Sequence, residues 1–242
     1  KAIPRETFLT IGGDLSVNSE TTNQLGYTYY GSSQDWSGFD NGNRDLKPAL
    51  ASYLASGARI SAGTVDTQAI ASELITGRNA VVQRDKNLPP NGSGTITGGT
   101  SFEIGDDTTM GVIFNAGYSN KWRTRDTIQQ TASTLDLSQK ELDFRKVITD
   151  NRMVVNGLLG FGIEVGEQKI RLTNLFIRDT LKQARLGVGT RQTTSPTATL
   201  MQQDTAWFER QLVDSQLVGE FKLSPDVNLS FRAAYANSQR EA

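Results

Sequence analysis

The chain of 242 residues is nearly neutral, with 25 Lys and Arg against 26 Asp and Glu, and it holds neither cysteine nor histidine. Disulfides, thiolate nucleophiles, zinc–thiolate sites and a Ser-His-Asp triad are therefore excluded, and the balanced charge offers no basic excess for binding nucleic acid. Only 36% of the residues are hydrophobic and the mean hydropathy is −0.41, lean for a water-soluble sandwich but ordinary for a membrane β-barrel, whose strands turn alternate residues to a polar lumen.

No signal peptide opens the chain, and no apolar run reaches the ~18 residues of a membrane-spanning helix. The residues KAIPRETF lead almost directly into a strand pattern, so the sequence reads as a mature or excised segment. In FLTIGGDLSVNS, Leu9, Ile11, Leu15 and Val17 fall on one parity and Thr10, Gly12, Asp14, Ser16 and Asn18 on the other. Such alternation predicts a strand with one apolar and one polar face.

A long polar connection, roughly Glu20 to Gly94, follows. Its first part, QLGYTYYGSSQDWSGFDNGNRD, is the one aromatic-rich polar loop. Tyr27, Tyr29, Tyr30, Trp36 and Phe39 could stack on a ligand ring there, and Arg44 could meet a carboxylate. The competing reading is that these side chains pack the loop onto its own helices. Two short amphipathic helices are expected next. In DLKPALASYLASG, Asp45 can cap and Pro48 suits the first turn, with Leu46, Leu50, Tyr53 and Leu54 on one face. In DTQAIASELITG, Asp66 caps and Gly77 closes, with Ile70, Leu74 and Ile75 apolar. Both could lie over a barrel mouth, and NLPPNGSG reads as loop.

From there the alternation returns. Ile96, Phe102 and Ile104 oppose Thr95, Thr97, Ser101 and Glu103, and in MGVIFNAGYSNKW only Ile113 breaks the rule. After a second polar connection, Arg125 to Asp143, the run MVVNGLLGFGIEV sets Met153, Val155, Leu159, Phe161, Ile163 and Val165 against Asn156, Gly160, Gly162 and Glu164. The strand around Lys169–Asp179 is less clean. Leu175 and Ile177 sit on the wrong parity for Ile170 and Leu172, so either a bulge or a packed contact on the polar side is expected. A third connection, Leu181 to Thr205, precedes strands at Trp207–Leu223 and Val227–Asn237.

The short links GDDT (Gly105–Thr108), GEQ (Gly166–Gln168) and SPD (Ser224–Asp226) are hairpin turns. Short and long connections alternate, which predicts an all-β antiparallel meander forming an open segment, about seven strands, of a transmembrane β-barrel, with long loops at one end and short helices in the first loop. Tyr118 and Trp122, Trp207 and Phe208, and Tyr235 stand at the long-loop ends, where an interfacial girdle would lie. The apolar face then meets lipid on the convex side, and the glycine-rich face lines a concave lumen.

No catalytic constellation emerges. The glycine clusters do not open a helix, so no phosphate cradle is expected. Asp106 and Asp107 read as turn residues rather than a calcium site. Glu103 and Glu164 read as lumen charges balanced by Arg152, Arg171 and Arg232 rather than as a glycosidase pair. KWRTRD, Lys121–Asp126, reads as a solvated strand end. No cofactor, metal or enzymatic activity is expected.

Taken together, YTYYGSSQDWSGFDNGNRDLKPAL, WRTRDTIQQ, VVNGLLGFGIEVGEQKIRLTNLFIRDT and QLVGEFKLSPDVNLSFRAAYANSQRE resemble the barrel of TonB-dependent outer-membrane receptors, most closely those of sphingomonad-type Gram-negative bacteria. The resemblance runs across almost the whole chain and implies uptake of a specific ligand (siderophore, cobalamin, oligosaccharide or similar small molecule) through a barrel of ~22 strands around a plug. It also implies TonB and outer-membrane lipid as partners. No plug or TonB box is recognisable here, so residues 1–242 are expected to be the first part of a barrel domain. A passive porin-like channel and a soluble carbohydrate-binding β-protein are the alternative readings.

Overall fold

The computed structural model describes residues 3–59, 63, 65–74, 76–136 and 138–241. Its body is a seven-stranded sheet built from β1 (Phe8–Ser16), β4 (Asn91–Ile104), β5 (Thr108–Ala132), β6 (Lys140–Val165), β7 (Gln168–Arg191), β8 (Ser195–Ser224) and β9 (Val227–Glu241), each pairing antiparallel with the next. Among the described residues the sheet is open: β1 pairs only with β4, and β9 only with β8. The first connection holds a two-stranded ribbon of β2 (Gly26–Thr28) and β3 (Gln83–Asp85). It also holds a 3-10 turn at Asp35–Ser37 and helices α1 (Pro48–Ser56), α2 (Thr67–Leu74) and α3 (Gly77–Ala80). No described helix is long and apolar enough to cross a membrane, which says nothing of a strand-built span.

Each tight turn sits where its sequence places it. Gly105 and Gly166 take positive φ of 69° and 56°, a left-handed geometry that disfavours a side chain. The other ends differ from expectation. The connections expected at Arg125–Asp143 and Leu181–Thr205 are mostly strand, because β5 runs to Ala132, β6 starts at Lys140, β7 runs to Arg191 and β8 starts at Ser195. These extensions are held by polar ladders: Arg145 brackets Asp126 at 2.5 to 3.1 Å, and Gln130 Nε2 donates to Asp143 at 2.9 Å. Polar pairs carry no apolar period, so the strand was hidden. NGSG is likewise the start of β4, its glycines and serine paired across to β1. Only the first connection is truly long.

The parity break in β7 resolves without a bulge. Its register with β6 is continuous through Leu175 and Ile177, which stand opposite Leu158 and Asn156 on the polar side. Asp45 does not cap α1; Lys47 occupies that position without a side-chain bond, Pro48 opens the helix and Gly57 closes it at φ 63°. Asp66 does cap α2, its Oδ1 accepting from Ala69 N at 2.9 Å. Gly77 opens α3 rather than closing α2, and Ile75 lies outside the described residues.

Apart from shifts at Thr131/Ala132, Gly189/Arg191 and Lys222/Ser224, the registers sort the strand residues onto two faces. Leu9 and Ile11 of β1, Phe102 of β4, Met110, Val112 and Phe114 of β5, Leu159, Phe161 and Ile163 of β6, Ile170 and Leu172 of β7, and Leu229, Phe231 and Tyr235 of β9 all share one. Leu9, Ile11, Phe102, Phe161 and Tyr235 are among its widely exposed side chains. From the tight turns upward this face carries no charge until Asp126 on β5, Arg145 on β6, Arg178 on β7 and Glu209 on β8. The charges of the same rows, Glu103, Glu164, Lys169, Arg171, Asp214, Glu220, Lys222 and Arg232, stand on the other face with Asn115, Asn156 and Ser230. Tyr118, Trp122, Trp207 and Tyr235 share the apolar face, whereas Phe208 faces away from Trp207.

Glycines on the apolar face act as slots for rings. A Cβ at Gly98 would meet Phe114 Cε1 at 2.6 Å, and one at Gly219 would meet Phe231 Cε1 at 2.1 Å, beside the stack of Phe231 on Phe221 (5.9 Å, 13°). Each ring thus covers the backbone of a neighbouring strand.

Candidate functional site

The aromatic loop folds down onto the far half of the apolar face. β2 is pinned where Tyr27 N donates to Thr149 Oγ1 at 2.9 Å, and Thr21 Oγ1 accepts from Thr124 N at 3.0 Å. Gly38 O accepts from Thr180 Oγ1 at 2.6 Å and from Arg178 Nε at 2.8 Å. Met153, Thr149 and Thr180 are fully buried beneath it.

At its centre the loop carries a buried ion cluster. Arg44 donates two bonds to Asp35 at 2.8 and 2.9 Å and a further one to Asp40. Lys182 of β7 reaches the same Asp35 at 2.8 Å, and Ser32 Oγ donates to it at 2.9 Å. The Arg44 guanidinium lies 3.9 Å over the Trp207 ring, and Tyr29 donates to Ala206 O at 3.1 Å. Burial alone would raise the Asp35 carboxyl, but the bonds from Arg44 and Lys182 outweigh it and hold Asp35 below the ordinary carboxylate range. Burial pushes the Tyr29 hydroxyl up to about 12 despite the opposing pull of Arg44. Burial works against the Arg44 charge, but Asp35, with Tyr29 beside it, holds the guanidinium proton more firmly than in water.

Of the residues picked out in the sequence, Tyr29 and Arg44 meet beside a cleft of about 510 Å³ between the loop and β8. Tyr27 serves the ribbon, Tyr30 and Trp36 are about two-thirds exposed, and Trp36 leans edge-on to Tyr118 at 6.4 Å. Phe39 lies under the Arg178 guanidinium at 4.4 Å. Arg44 meets carboxylates of its own loop, which fits packing of the loop onto the protein. Lys182 and Arg178 carry no signal in the sequence, and Trp207 reads there as a girdle residue; β7 and β8 supply all three.

A second constellation stands on the opposite face, above the charge-free band. There β5 presents Lys121, Arg123 and Arg125, and β6 presents Lys146 and Arg152. Arg185 of β7, Arg210 of β8 and Arg240 of β9 complete the set, against Asp150, Asp179 and Asp204 on the same strands and Asp14 of β1 in the row of Asp179. Arg125 pairs with Asp150 at 2.5 Å. Arg152 grips Asp179 with two bonds of 2.7 Å, and Arg210 approaches it at 3.9 Å. A cleft of about 470 Å³ opens here, with Lys121, Arg123, Arg152, Arg210, Leu181 and Phe208 in its lining.

Lower on that face Glu164 pairs with Lys169 at 3.2 Å and Arg171 with Glu220 at 2.5 Å, whereas among the described residues Glu103 and Arg232 make no ion pair, so the expected balance holds for neither carboxylate as drawn. No metal-ligand cluster occurs among the described residues. Comparisons with family models, curated proteins and solved structures find no match to this chain.

Proposed function

We propose that this chain is part of the wall of an outer-membrane β-barrel of the TonB-dependent receptor type, serving energised uptake of a specific small-molecule or oligosaccharide ligand. The observation that carries the reading is the charge-free apolar band on one face of a sequential meander, with every charge of the same rows on the other. About ten residues of a tilted strand cross a bilayer, and from the tight turns each strand from β4 to β9 offers such a stretch. Lipid accepts the band, whereas water would leave an apolar surface far larger than soluble monomers expose. β7 and β8 run to 24 and 30 residues in all, so their length beyond that stretch stands outside the membrane and carries the loop cluster and the cationic cleft. Outer-membrane lipid, and TonB acting through a plug domain, are the partners of this reading.

The absence of cysteine gives a clean test in the full-length gene product. A Phe161→Cys variant in cells should resist a membrane-impermeant maleimide, and an Asn156→Cys variant should react once the lumen is opened. Inactivating TonB should then abolish uptake of the cognate nutrient. Equal labelling at the two positions would remove the membrane reading, and uptake without TonB would favour a passive channel.

A further inference from the structure

We propose that the cationic cleft above the band is a binding subsite for a small organic polyanion, one bearing carboxylate, phosphate or sulfonate groups on an apolar body. The proposal rests on the reading that this face lines the lumen, and it names the ligand class of that passage. Its first ground is charge that the protein leaves uncompensated. Among the described residues neither Lys121 nor Arg123 has a carboxylate within 4.0 Å. The carboxylates nearby are already engaged, Asp150 by Arg125 and by Gln183 Nε2, and Asp179 by Arg152.

The second ground is the register. Lys121 stands directly opposite Arg152, and Arg210 directly opposite Arg240. Like charges facing each other across an antiparallel pair destabilise a sheet. Arg152 and Arg210 share Asp179, but among the described residues Lys121 gains no ion pair to offset the repulsion, the kind of uncompensated arrangement a functional site retains. An oxyanion bridging Lys121 and Arg152 converts that repulsion into two charge-assisted hydrogen bonds.

The third ground is shape. At about 470 Å³ the cleft falls within the usual range for small-molecule sites, and Leu181 and Phe208 give it an apolar floor among the cations. The chain as a whole has a net charge of −1, so this is a local field rather than a general basicity. Lipid phosphates approach the apolar face and do not reach this one.

The test uses the purified full-length protein in nonionic detergent with pyranine, a pyrene trisulfonate, as the probe, read by fluorescence anisotropy. We expect saturable binding that weakens steeply with added salt. A Lys121→Gln/Arg123→Gln variant should bind about tenfold or more weakly, the loss of at least one charge-assisted bond. A Lys222→Gln variant, at the opposite end of the strands, should match the parent. Unchanged affinity in the double variant overturns the proposal. So does parent binding that is indifferent to salt, a result that holds even if the double variant fails to fold. Because the assay needs neither bilayer nor TonB, its failure is separable from failure of the cysteine-labelling test.

Discussion

Replacing Phe114 by Arg tests the apolar band where it should matter most. Residue 114 lies about six residues above the start of β5, ~20 Å of strand at ~3.3 Å per residue. A strand tilt of ~40° reduces this to ~15 Å of height, close to the middle of an apolar band ~25 Å tall. Arginine at that depth costs ~2–4 kcal/mol, whereas at the rim it costs ~0–1 kcal/mol. Two comparison sites fix the reasoning. Val165 is on the same face but beside the Gly166 turn, and Thr173 is at mid-height on the polar face opposite Gly160. Reversible denaturant titration of the full-length protein in phosphatidylcholine vesicles should rank the losses Phe114→Arg, then Val165→Arg, then Thr173→Arg. The first corresponds to a shift of about 30- to 1,000-fold in the folding equilibrium. If Phe114→Arg and Thr173→Arg cost the same, depth and face are irrelevant and the membrane assignment fails.

Arg44→Ala should free the first loop. It strips the bidentate partner from a nearly buried Asp35, whose side chain is 9% exposed, leaving Lys182 as its one cation and Ser32 as its neutral donor, at a cost of about 3 kcal/mol; limited proteolysis within residues 18–90 should accelerate while the sheet resists. Asp35 titrates below its unfolded value, so its contribution is present above the ordinary carboxylate range and is lost as pH falls through the depressed folded value. Loop protection against protease should therefore fail only in acid below about pH 4, and Asp35→Asn should remove that acid limb. Spectrophotometric titration of the six tyrosines should find one ionising near 12, that one missing in Tyr29→Phe. Gly189→Ala should open the far end of the β6–β7 pair, because a Cβ there would meet Asp143 O at 2.0 Å and Phe144 Cα at 2.6 Å. Both are backbone atoms, so the cost should reach the ~1–3 kcal/mol of overpacking, seen as faster amide exchange from Phe144 to Lys146.

The half of each strand near the tight turns was legible because lipid-type alternation writes itself in Val, Leu, Phe and Ile at every second position. The far halves were not, since ladders such as Asp126 with Arg145 and Gln130 with Asp143 use residues that a polar loop would also use. In the first loop the aromatic cluster and the Asp66 cap were readable, because both depend on near neighbours. The partners of Asp35 and Arg44 were not. Lys182 and Trp207 lie on β7 and β8, and only the register of those strands brings them under the loop. The cationic cleft was hidden for the same reason. KWRTRD looks like a mixed-charge strand end, until pairing with β6 separates Lys121, Arg123 and Arg125 from Asp126 and sets them beside Arg152.

The open edges decide how such a sheet can live in a bilayer. The outer side of β1 and the outer side of β9 present backbone donors and acceptors with no strand to receive them. In water those groups are solvated at little cost; within hydrocarbon each unpaired one costs several kcal/mol. Along the 9 residues of β1 that total exceeds the stability of an ordinary domain. Pairing β1 with β9 would not relieve it, since seven strands at ~4.8 Å spacing make a wall only ~30 Å wide. A ring that tight would have to find interior room for the long side chains of Lys169, Arg171, Glu220 and Arg232. On the polar face the ion pairs run between adjacent strands, as Arg171 does to Glu220 and Arg152 to Asp179. A wall of this kind becomes a membrane protein only when further strands satisfy both edges, and the charge surplus on its inner face then becomes a property of the enclosed passage.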